Sequence, residues 1–320
     1  MPELPQPADR ATLAARGPHA APDSTKPYAC FVEPERSASG HVEAVATVFV
    51  TNRECPYRCL VCDLWKHTTG ERAPAATAAE QLAWALARLP HAPHVKLYNS
   101  GSFFDARAIK RSEWPRIAAL VEGRETLIVE CHPRLVDQRC AEFAAQIAPV
   151  RLEVAMGLET VDPILLPQLK QHMTLDDFER ATRFLSDCGV KVRAFILLGP
   201  PGHRGDEAVH WAERSVDYAL SIGVECCVLI PVRPGNGIVD ELEREGVYAR
   251  PSLAELHAAL AHGLASAARS GSGRVFADLW DLDAFTVCTR CAAERTASLQ
   301  RMNLTQQPAA PPDCTCAASA

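Results

Sequence analysis

Three cysteines lie close together in the segment TNRECPYRCLVCDLW, where Cys55, Cys59 and Cys62 are separated by three residues and then by two. Three thiolates this close can bind three irons of a cubane cluster, and the fourth iron then has no ligand from the loop. An open coordination position is what catalytic metals generally need. The spacing therefore indicates a [4Fe–4S] cluster with one iron free for chemistry.

Two other chemistries fit the same cysteine loop. A structural zinc site needs a fourth ligand, for which Asp63 and His67 are the nearby candidates. A redox pair formed by Cys59 and Cys62 is a second possibility, and it leaves Cys55 without a role. The metal content of the purified protein distinguishes these interpretations, because only the cluster contains iron and sulfide.

Six apolar segments alternate with six amphipathic segments from residue 43 to residue 268. The apolar segments, predicted as strands, are residues 43–51, 94–100, 126–131, 150–157, 190–199 and 224–232. The amphipathic segments, predicted as helices, are residues 77–89, 113–123, 137–147, 174–189, 206–223 and 252–268. Nearly continuous apolar strands are typical of parallel sheets buried by helices. A doubly wound sheet and a (β/α) barrel both fit this pattern, and both place chemistry at the carboxyl ends of the strands.

The ends of the chain differ from this repeating part. Residues 1–42 are rich in Pro, Ala and Ser and are predicted to form a flexible N-terminal extension. Residues 43–270 form the predicted α/β core. Residues 271–320 are a predicted C-terminal extension that carries further cysteines.

Charge and composition restrict the class of protein. The 320 residues include 33 Lys and Arg against 39 Asp and Glu, a net charge of −6, whereas proteins that mainly bind nucleic acid are usually basic. The sequence has no apolar run long enough to span a bilayer, and its start lacks the apolar region of a secretory signal. We therefore expect a cytoplasmic protein that does not contact a membrane. In a reducing compartment, clusters among the 13 cysteines indicate metal binding or chemistry.

The cysteine loop after the first of six strand–helix units resembles that of the radical S-adenosylmethionine (SAM) superfamily, and the resemblance covers about residues 43–268. The core is most similar to the type found in the Elongator catalytic subunit, the methylthiotransferases and the nitrogenase-cofactor enzymes. The resemblance implies a partial TIM-like (β/α)6 barrel. It also implies that SAM binds the open iron and is cleaved by an electron from the cluster. The resulting 5′-deoxyadenosyl radical abstracts a substrate hydrogen. A flavodoxin- or ferredoxin-type electron donor is the implied partner.

The resemblance also implies SAM-binding residues in and after the first three strands. Val61, before the third cysteine, is expected against the adenine, and Ser100 and Gly101 form the turn that meets the SAM amino group. Glu130 stands where related enzymes have a glutamate that helps to bind SAM. The alternatives are an ordinary turn for Gly101 and a solvated strand-end charge for Glu130.

Further implied site residues follow the later strands. Glu159 is expected to accept hydrogen bonds from the ribose hydroxyls, although it could instead cap the next turn. Gly199 and Gly202 are expected to let the backbone approach the adenine, with an ordinary Gly-Pro turn as the alternative. Arg233 and Asn236 are candidates in the loop after the sixth strand.

Four more cysteines lie near the C-terminus. Cys288 and Cys291 are separated by two residues, and Cys314 and Cys316 are separated by one residue. Four thiolates can bind one zinc ion or a second iron–sulfur cluster, and unliganded thiols remain the third possibility.

Three functions remain open from the sequence. The first is a radical SAM enzyme that acts on a small molecule or a peptide. The second is a radical SAM enzyme that modifies tRNA, because the core also resembles, more distantly, the radical SAM partner of archaeosine synthesis, whose cysteine loop is longer. The third is a noncatalytic zinc-binding α/β protein.

Overall fold

One curled sheet of eight strands is the framework of the computed structural model, which describes residues 15–17, 20 and 22–314. The strands are β1 (Ala29–Arg36), β2 (Val42–Val50), β3 (His94–Asn99), β4 (Thr126–Glu130), β5 (Arg151–Glu159), β6 (Lys191–Leu198), β7 (Cys226–Pro231) and β8 (Arg274–Ala277). They are paired in chain order, with β1 and β2 antiparallel and all later neighbours parallel. The predicted partial TIM-like barrel is confirmed.

Helices cover the convex face of this sheet. Within the described residues they are α1 (Ala78–Leu86), α2 (Trp114–Val121), α3 (Gln138–Ile147), α4 (Leu165–Gln168), α5 (Leu175–Asp187), α6 (Gly205–Ser221), α7 (Ile238–Arg244), α8 (Leu253–Ser270) and α9 (Ala292–Thr305). Thr77 and Thr174 begin α1 and α5 with reciprocal capping boxes, because each side chain bonds the third helical residue and receives a bond in return. Among the residues described, no helix combines the length and the apolar character that crossing a membrane requires.

Two strands lie in segments for which no strand was predicted. β1 falls in the predicted N-terminal extension, yet it pairs with β2 over its whole length, from Ala29 opposite Phe49 to Arg36 opposite Val42. Its charged residues conceal the strand pattern, because Glu35 is buried against Lys96 and Arg193 on other strands, while Glu33 pairs with Lys96 from a partly exposed position. β8 falls in the predicted C-terminal extension and is only four residues long. The sheet therefore extends beyond both predicted boundaries of the core, while the prediction that residues 1–14 are flexible lies outside the described residues.

Buried ion pairs fill the concave side near the amino ends of the parallel strands. Arg193 on β6 lies 2.5 Å from Glu153 on β5 and 2.7 Å from Glu35 on β1. Lys96 on β3 also binds Glu35, at 2.5 Å, and Arg274 on β8 binds Glu153 at 3.2 Å. Burial disfavours the charge of Glu35, but Arg193 and Lys96 outweigh this and lower its pKa. This ionic layer links β1, β3, β5, β6 and β8 across the interior of the half-barrel.

An apolar layer lies above the ionic layer on the same concave face. It consists of Tyr98, Ile128 and Ala155, with Phe49 and Phe195 packed against them. The ring of Tyr98 makes edge contacts with Phe49 at 5.9 Å and Phe195 at 6.1 Å between ring centroids. Since side chains alternate along a strand, the next inward positions lie at the carboxyl ends of the strands, where the cysteine loop begins.

Candidate cofactor site

The cysteine loop lies at the carboxyl end of the sheet, directly after β2. Cys55, Cys59 and Cys62 line one small, partly open cavity together with Ser100, which follows β3. Arg16, Glu54, Arg58 and Trp65 complete its lining. The structure therefore brings the three predicted cluster ligands and one predicted SAM-binding residue to a single cavity.

Three hydrogen bonds fix the cysteine loop to later parts of the chain. The amide of Leu60 donates to the carbonyl of Leu169, at 2.9 Å. The side-chain amide of Asn236 donates to the carbonyls of Leu60, at 2.8 Å, and Cys62, at 3.4 Å. The Asn236 oxygen in turn accepts from the amide of Val239 in α7. Asn236 was a candidate of unassigned role, and its observed contacts are with the loop that carries the cysteines.

Burial determines the protonation of the three thiols. It raises the pKa of Cys55, raises that of Cys62 to about 12 and raises that of Cys59 well above its usual value. The bare chain therefore holds three neutral thiols at pH 7. A metal that binds them must displace their protons, so assembly of the site is favoured at higher pH.

The spacing of the thiols discriminates between a single ion and a cluster. Among the described residues, three cysteine sulfurs within 4.8 Å of one another, as one ion needs, occur at Cys288, Cys291 and Cys314 and not in the cysteine loop. A cubane binds each thiolate to a different iron, so its ligands stand farther apart. The loop accordingly fits a cluster better than a zinc ion.

Several buried polar groups have no partner, and one of them, Ser100, lines the cavity. Within the part of the chain that is described, both polar atoms of the side chains of Asn52 and Asn99, the hydroxyl of Ser100 and the side-chain oxygen of Gln171 are buried and have no hydrogen-bond partner. Buried polar atoms in native proteins are almost always paired. These groups fit a polar ligand beside the cysteines. Asn99 and Gln171 were not predicted, because an isolated amide in a strand end or a turn has no sequence signature.

Glu130 and Gly101 lie where the ends of β3 and β4 meet. The amide of Asn99 donates to the Glu130 carboxylate at 2.8 Å, and burial raises the pKa of Glu130 to about 8. Gly101 has φ +145°, and a Cβ at this position would lie 3.9 Å from the Cβ of Cys55. Glu130 is partly buried and its carboxylate is bonded to the backbone, which disfavours the solvated-charge alternative. The predicted SAM contacts of both residues stay predictions.

Glu159 is held in a strained conformation at the end of β5. Its φ is +63°, the pairing with β6 shifts register there, and Gln171 donates to its carboxylate at 2.8 Å. Left-handed backbone at a residue other than Gly costs about 1 kcal/mol or more and often marks a functional site. Burial raises the pKa of Glu159 to about 7. The Glu159 carboxylate bonds to Gln171 at the carboxyl end of the sheet, where the cysteine loop lies. Glu153, on the same strand, belongs to the ionic layer near the amino end.

The remaining predicted residues are not among those that line the cysteine cavity. Val61 is half-buried and packs against a small apolar cluster that contains Leu60. Gly199 has φ +64°, and an added Cβ would lie 3.1 Å from Pro251, so close packing by itself explains this glycine. Gly202 also has positive φ, +103°. Arg233 pairs with Asp278 at 2.8 Å and thereby links the loops after β7 and β8.

The C-terminal cysteines form a second group. Cys288 and Cys314 are 3.7 Å apart between sulfurs, and Cys291 lies within 4.8 Å of both. Hydrogen bonds from backbone amides, first that of Cys291, lower the pKa of Cys288 to about 6. Cys316, the predicted fourth member, lies outside the described residues.

Comparison with other proteins finds two relatives of similar sequence. No protein-family model matches the chain. It is similar to the archaeosine synthase subunit beta of Methanosarcina acetivorans, with 27% identity over 249 residues that cover 69% of this chain and 66% of that protein. The same subunit of Thermococcus kodakarensis is 32% identical over 111 residues, covering 33% of this chain and 34% of the relative. The matched part thus spans less than two thirds of either relative.

A solved structure shares the architecture. The Elp3 protein of the archaeon Methanocaldococcus infernus, lacking its N-terminal residues 1–46, superposes with a TM-score of 0.50 and 14% identity, covering 81% of this chain and 63% of that one. At this identity the similarity shows a common fold. It supports the partial barrel that the six strand–helix units predicted.

Proposed function

We propose that this chain is a radical SAM enzyme, in which Cys55, Cys59 and Cys62 hold a [4Fe–4S] cluster and SAM binds beside it. The observation that carries the proposal is the convergence of the three cysteines and Ser100 on one cavity at the carboxyl ends of the parallel strands. When bound, the reduced cluster and SAM would supply a 5′-deoxyadenosyl radical able to abstract hydrogen from carbon. The similarity in fold to Elp3 supports this assignment.

The chain's own residues supply cluster ligands, hydrogen-bonding groups and carboxyl groups. The cysteine loop supplies three thiolates and leaves one iron position open. The unpartnered side chains of Asn99 and Ser100 supply hydrogen-bonding groups for the polar parts of SAM. Glu130 and Glu159 supply carboxyl groups, and the raised pKa of each makes it able to donate as well as to accept near neutral pH.

The apolar layer has a protective role in this proposal. Tyr98, Phe49 and Phe195 lie beneath the carboxyl end of the sheet and keep polar groups of the ionic layer away from the site. A primary carbon radical reacts with whatever hydrogen donor it meets, so water and stray side chains must be excluded. The half-barrel leaves its mouth as the entry for substrate.

Formation of 5′-deoxyadenosine tests the proposal. The protein is reconstituted anaerobically with iron and sulfide, reduced with dithionite and given SAM. Cys59→Ala should lose both the brown colour and the product, whereas Cys188→Ala, which removes an exposed solitary cysteine, should keep both. Zinc without iron or sulfide in the wild-type protein would contradict the proposal and favour the noncatalytic zinc-binding alternative.

A substrate in RNA is the second candidate, beside a small molecule or a peptide. The sequence similarity to archaeosine synthase subunit beta favours it, and the net charge of −6 opposes it. The test compares tRNA with peptides as additions to the SAM assay. Stimulation of 5′-deoxyadenosine by tRNA alone, decreasing as salt is raised, would support an RNA substrate.

Two further assignments belong to the same proposal. A flavodoxin- or ferredoxin-type protein would deliver the electron in the cell, and dithionite replaces it in the assay. A cytoplasmic location, expected from the sequence, would keep both the thiols and the cluster in a reducing compartment.

A further inference from the structure

Three cysteines from both sides of α9 meet at one point. Cys288 and Cys291 precede the helix, Cys314 follows it, and their sulfurs lie within 4.8 Å of one another. The sulfur of Cys288 is 3.7 Å from that of Cys314. Cysteines this far apart in sequence meet only because α9 and the segment after it fold back along the edge of the sheet.

The distance between the sulfurs of Cys288 and Cys314 matches that of two ligands of a single tetrahedral ion. Zinc binds thiolate sulfur at about 2.3 Å, and tetrahedral geometry then puts two ligand sulfurs about 3.8 Å apart. The observed 3.7 Å is this edge length. A cubane cluster would hold the same thiolates on different irons and so farther apart. We propose that Cys288, Cys291 and Cys314 bind one structural zinc ion, a site separate from the cysteine loop.

A buried arginine supports the assignment. Nε of Arg295 donates to the sulfur of Cys291 at 3.3 Å, and both residues are buried. Several thiolates on one divalent ion carry excess negative charge, and an N–H donor to sulfur compensates for it. Arg295 is one helical turn after Cys291 in α9, so the helix itself presents this donor to the site.

The zinc would fasten α9 to the edge strand of the sheet. The side chain of Asn303 both donates to and accepts from the backbone of Ala277, at 2.9 Å, and that of Gln306 does the same with Val275, at 2.9 and 2.8 Å. These bonds hold the carboxyl half of α9 on β8. A zinc ion at the other end of the helix closes residues 288–314 into a loop, which stabilises the fold by coupling metal binding to folding.

Metal analysis of a variant without the cysteine loop tests the proposal independently of the proposed function. The full-length chain carrying Cys55→Ala, Cys59→Ala and Cys62→Ala should bind about one zinc and no iron. Adding Cys288→Ser should remove the zinc and lower the temperature of thermal unfolding. Adding Cys188→Ser instead should change neither, because that cysteine is exposed and solitary.

A second measurement does not depend on the folding of the Cys288 variant. The triple variant is stripped of metal and titrated with cobalt(II), and it should develop the visible absorption of tetrahedral thiolate-bound cobalt at about one equivalent, reversed by zinc. Iron and sulfide retained in the triple variant would overturn the proposal in favour of an auxiliary cluster. Absence of both the zinc and the cobalt spectrum would overturn it in favour of unliganded or oxidised thiols.

Discussion

The carboxylate of Glu130 accepts a hydrogen bond from the backbone amide of Asn99, with 2.8 Å between oxygen and nitrogen. The bond joins the carboxyl ends of β4 and β3 beside the cysteine cavity. Burial nevertheless raises the pKa of Glu130 to about 8, because one amide donor does not replace the lost hydration of a carboxylate. The strand end thus holds an acid that is mostly neutral at pH 7.

The chain without cofactors should lose stability as the pH rises from the ordinary pKa of a glutamate toward the raised pKa of Glu130. The pKa of Glu130 in the folded chain lies above its ordinary value of 4.5, so the folded state binds more protons between about pH 4.5 and 8. Stability from this group is complete below pH 4.5 and decreases toward pH 8. Glu130→Gln should reduce the slope, of which Glu159 supplies another part, and should be more stable than wild type at pH 8.5 by roughly 3 kcal/mol or less because the side chain keeps some exposure. Urea unfolding at pH 5.5 and 8.5 measures this, and parallel pH profiles for the two proteins would contradict it.

Asn236→Ala should loosen the cysteine loop. The side-chain amide bonds the carbonyls of Leu60 and Cys62, and its loss leaves these groups without that donor, at a cost of about 1–3 kcal/mol. We expect the reconstituted variant to release iron faster under a chelator. Asn303→Ala is the control, because it breaks two bonds to Ala277 in β8 and none to the loop. Equal iron release from both variants would mean that Asn236 stabilises the fold in general and not the loop.

Gly157→Ala should displace the side chain of Glu159 while changing the stability of the fold little. A Cβ at Gly157 would lie 2.2 Å from Oε1 of Glu159 and 2.3 Å from Nε2 of Gln171. Both are ends of flexible side chains, so they can move at a small cost, under about 1 kcal/mol. If Glu159 binds SAM, its displacement should weaken SAM binding to the cluster-loaded protein by about tenfold, or 1.4 kcal/mol.

Two further variants complete this experiment. Glu159→Gln should weaken SAM binding comparably, while Gly17→Ala, where an added Cβ meets no described residue within 4 Å, should leave it unchanged. SAM affinity equal to wild type in both Gly157→Ala and Glu159→Gln would remove Glu159 from the SAM site. Equilibrium binding and thermal unfolding are measured on the same preparations.

Arg193→Met should destabilise the half-barrel because it disrupts the ionic layer. The substitution leaves the carboxylates of Glu35 and Glu153 buried with one cation fewer each, which costs about 3–5 kcal/mol for a broken buried pair. Adding Glu153→Gln should restore part of the loss, since it removes one of the two uncompensated charges. Denaturant unfolding at pH 7 measures both variants. A loss below about 1 kcal/mol for Arg193→Met would show that the layer behaves like a solvated surface pair.

The strands and the cysteine loop could be predicted because their signals are local. Each of the six predicted strands is an apolar run next to an amphipathic helix, and the structure contains all six. β1 escaped prediction because its identity as a strand depends on partners elsewhere: Glu35 is an interior residue only when Lys96 and Arg193 lie opposite it. A charged residue in a short segment otherwise indicates solvent.

The sequence by itself determined the chemistry that is available, namely three thiols at fixed spacing after a predicted strand. The tertiary structure decided which groups share the cavity. It places Ser100 beside the thiols, aligns Gln171 with Glu159, and uses Asn236, far along the chain, to hold the loop. The physical reason is that these contacts form between strand ends that meet only when the sheet curls. A single amide or carboxylate has no periodic pattern in the sequence from which such a contact could be predicted.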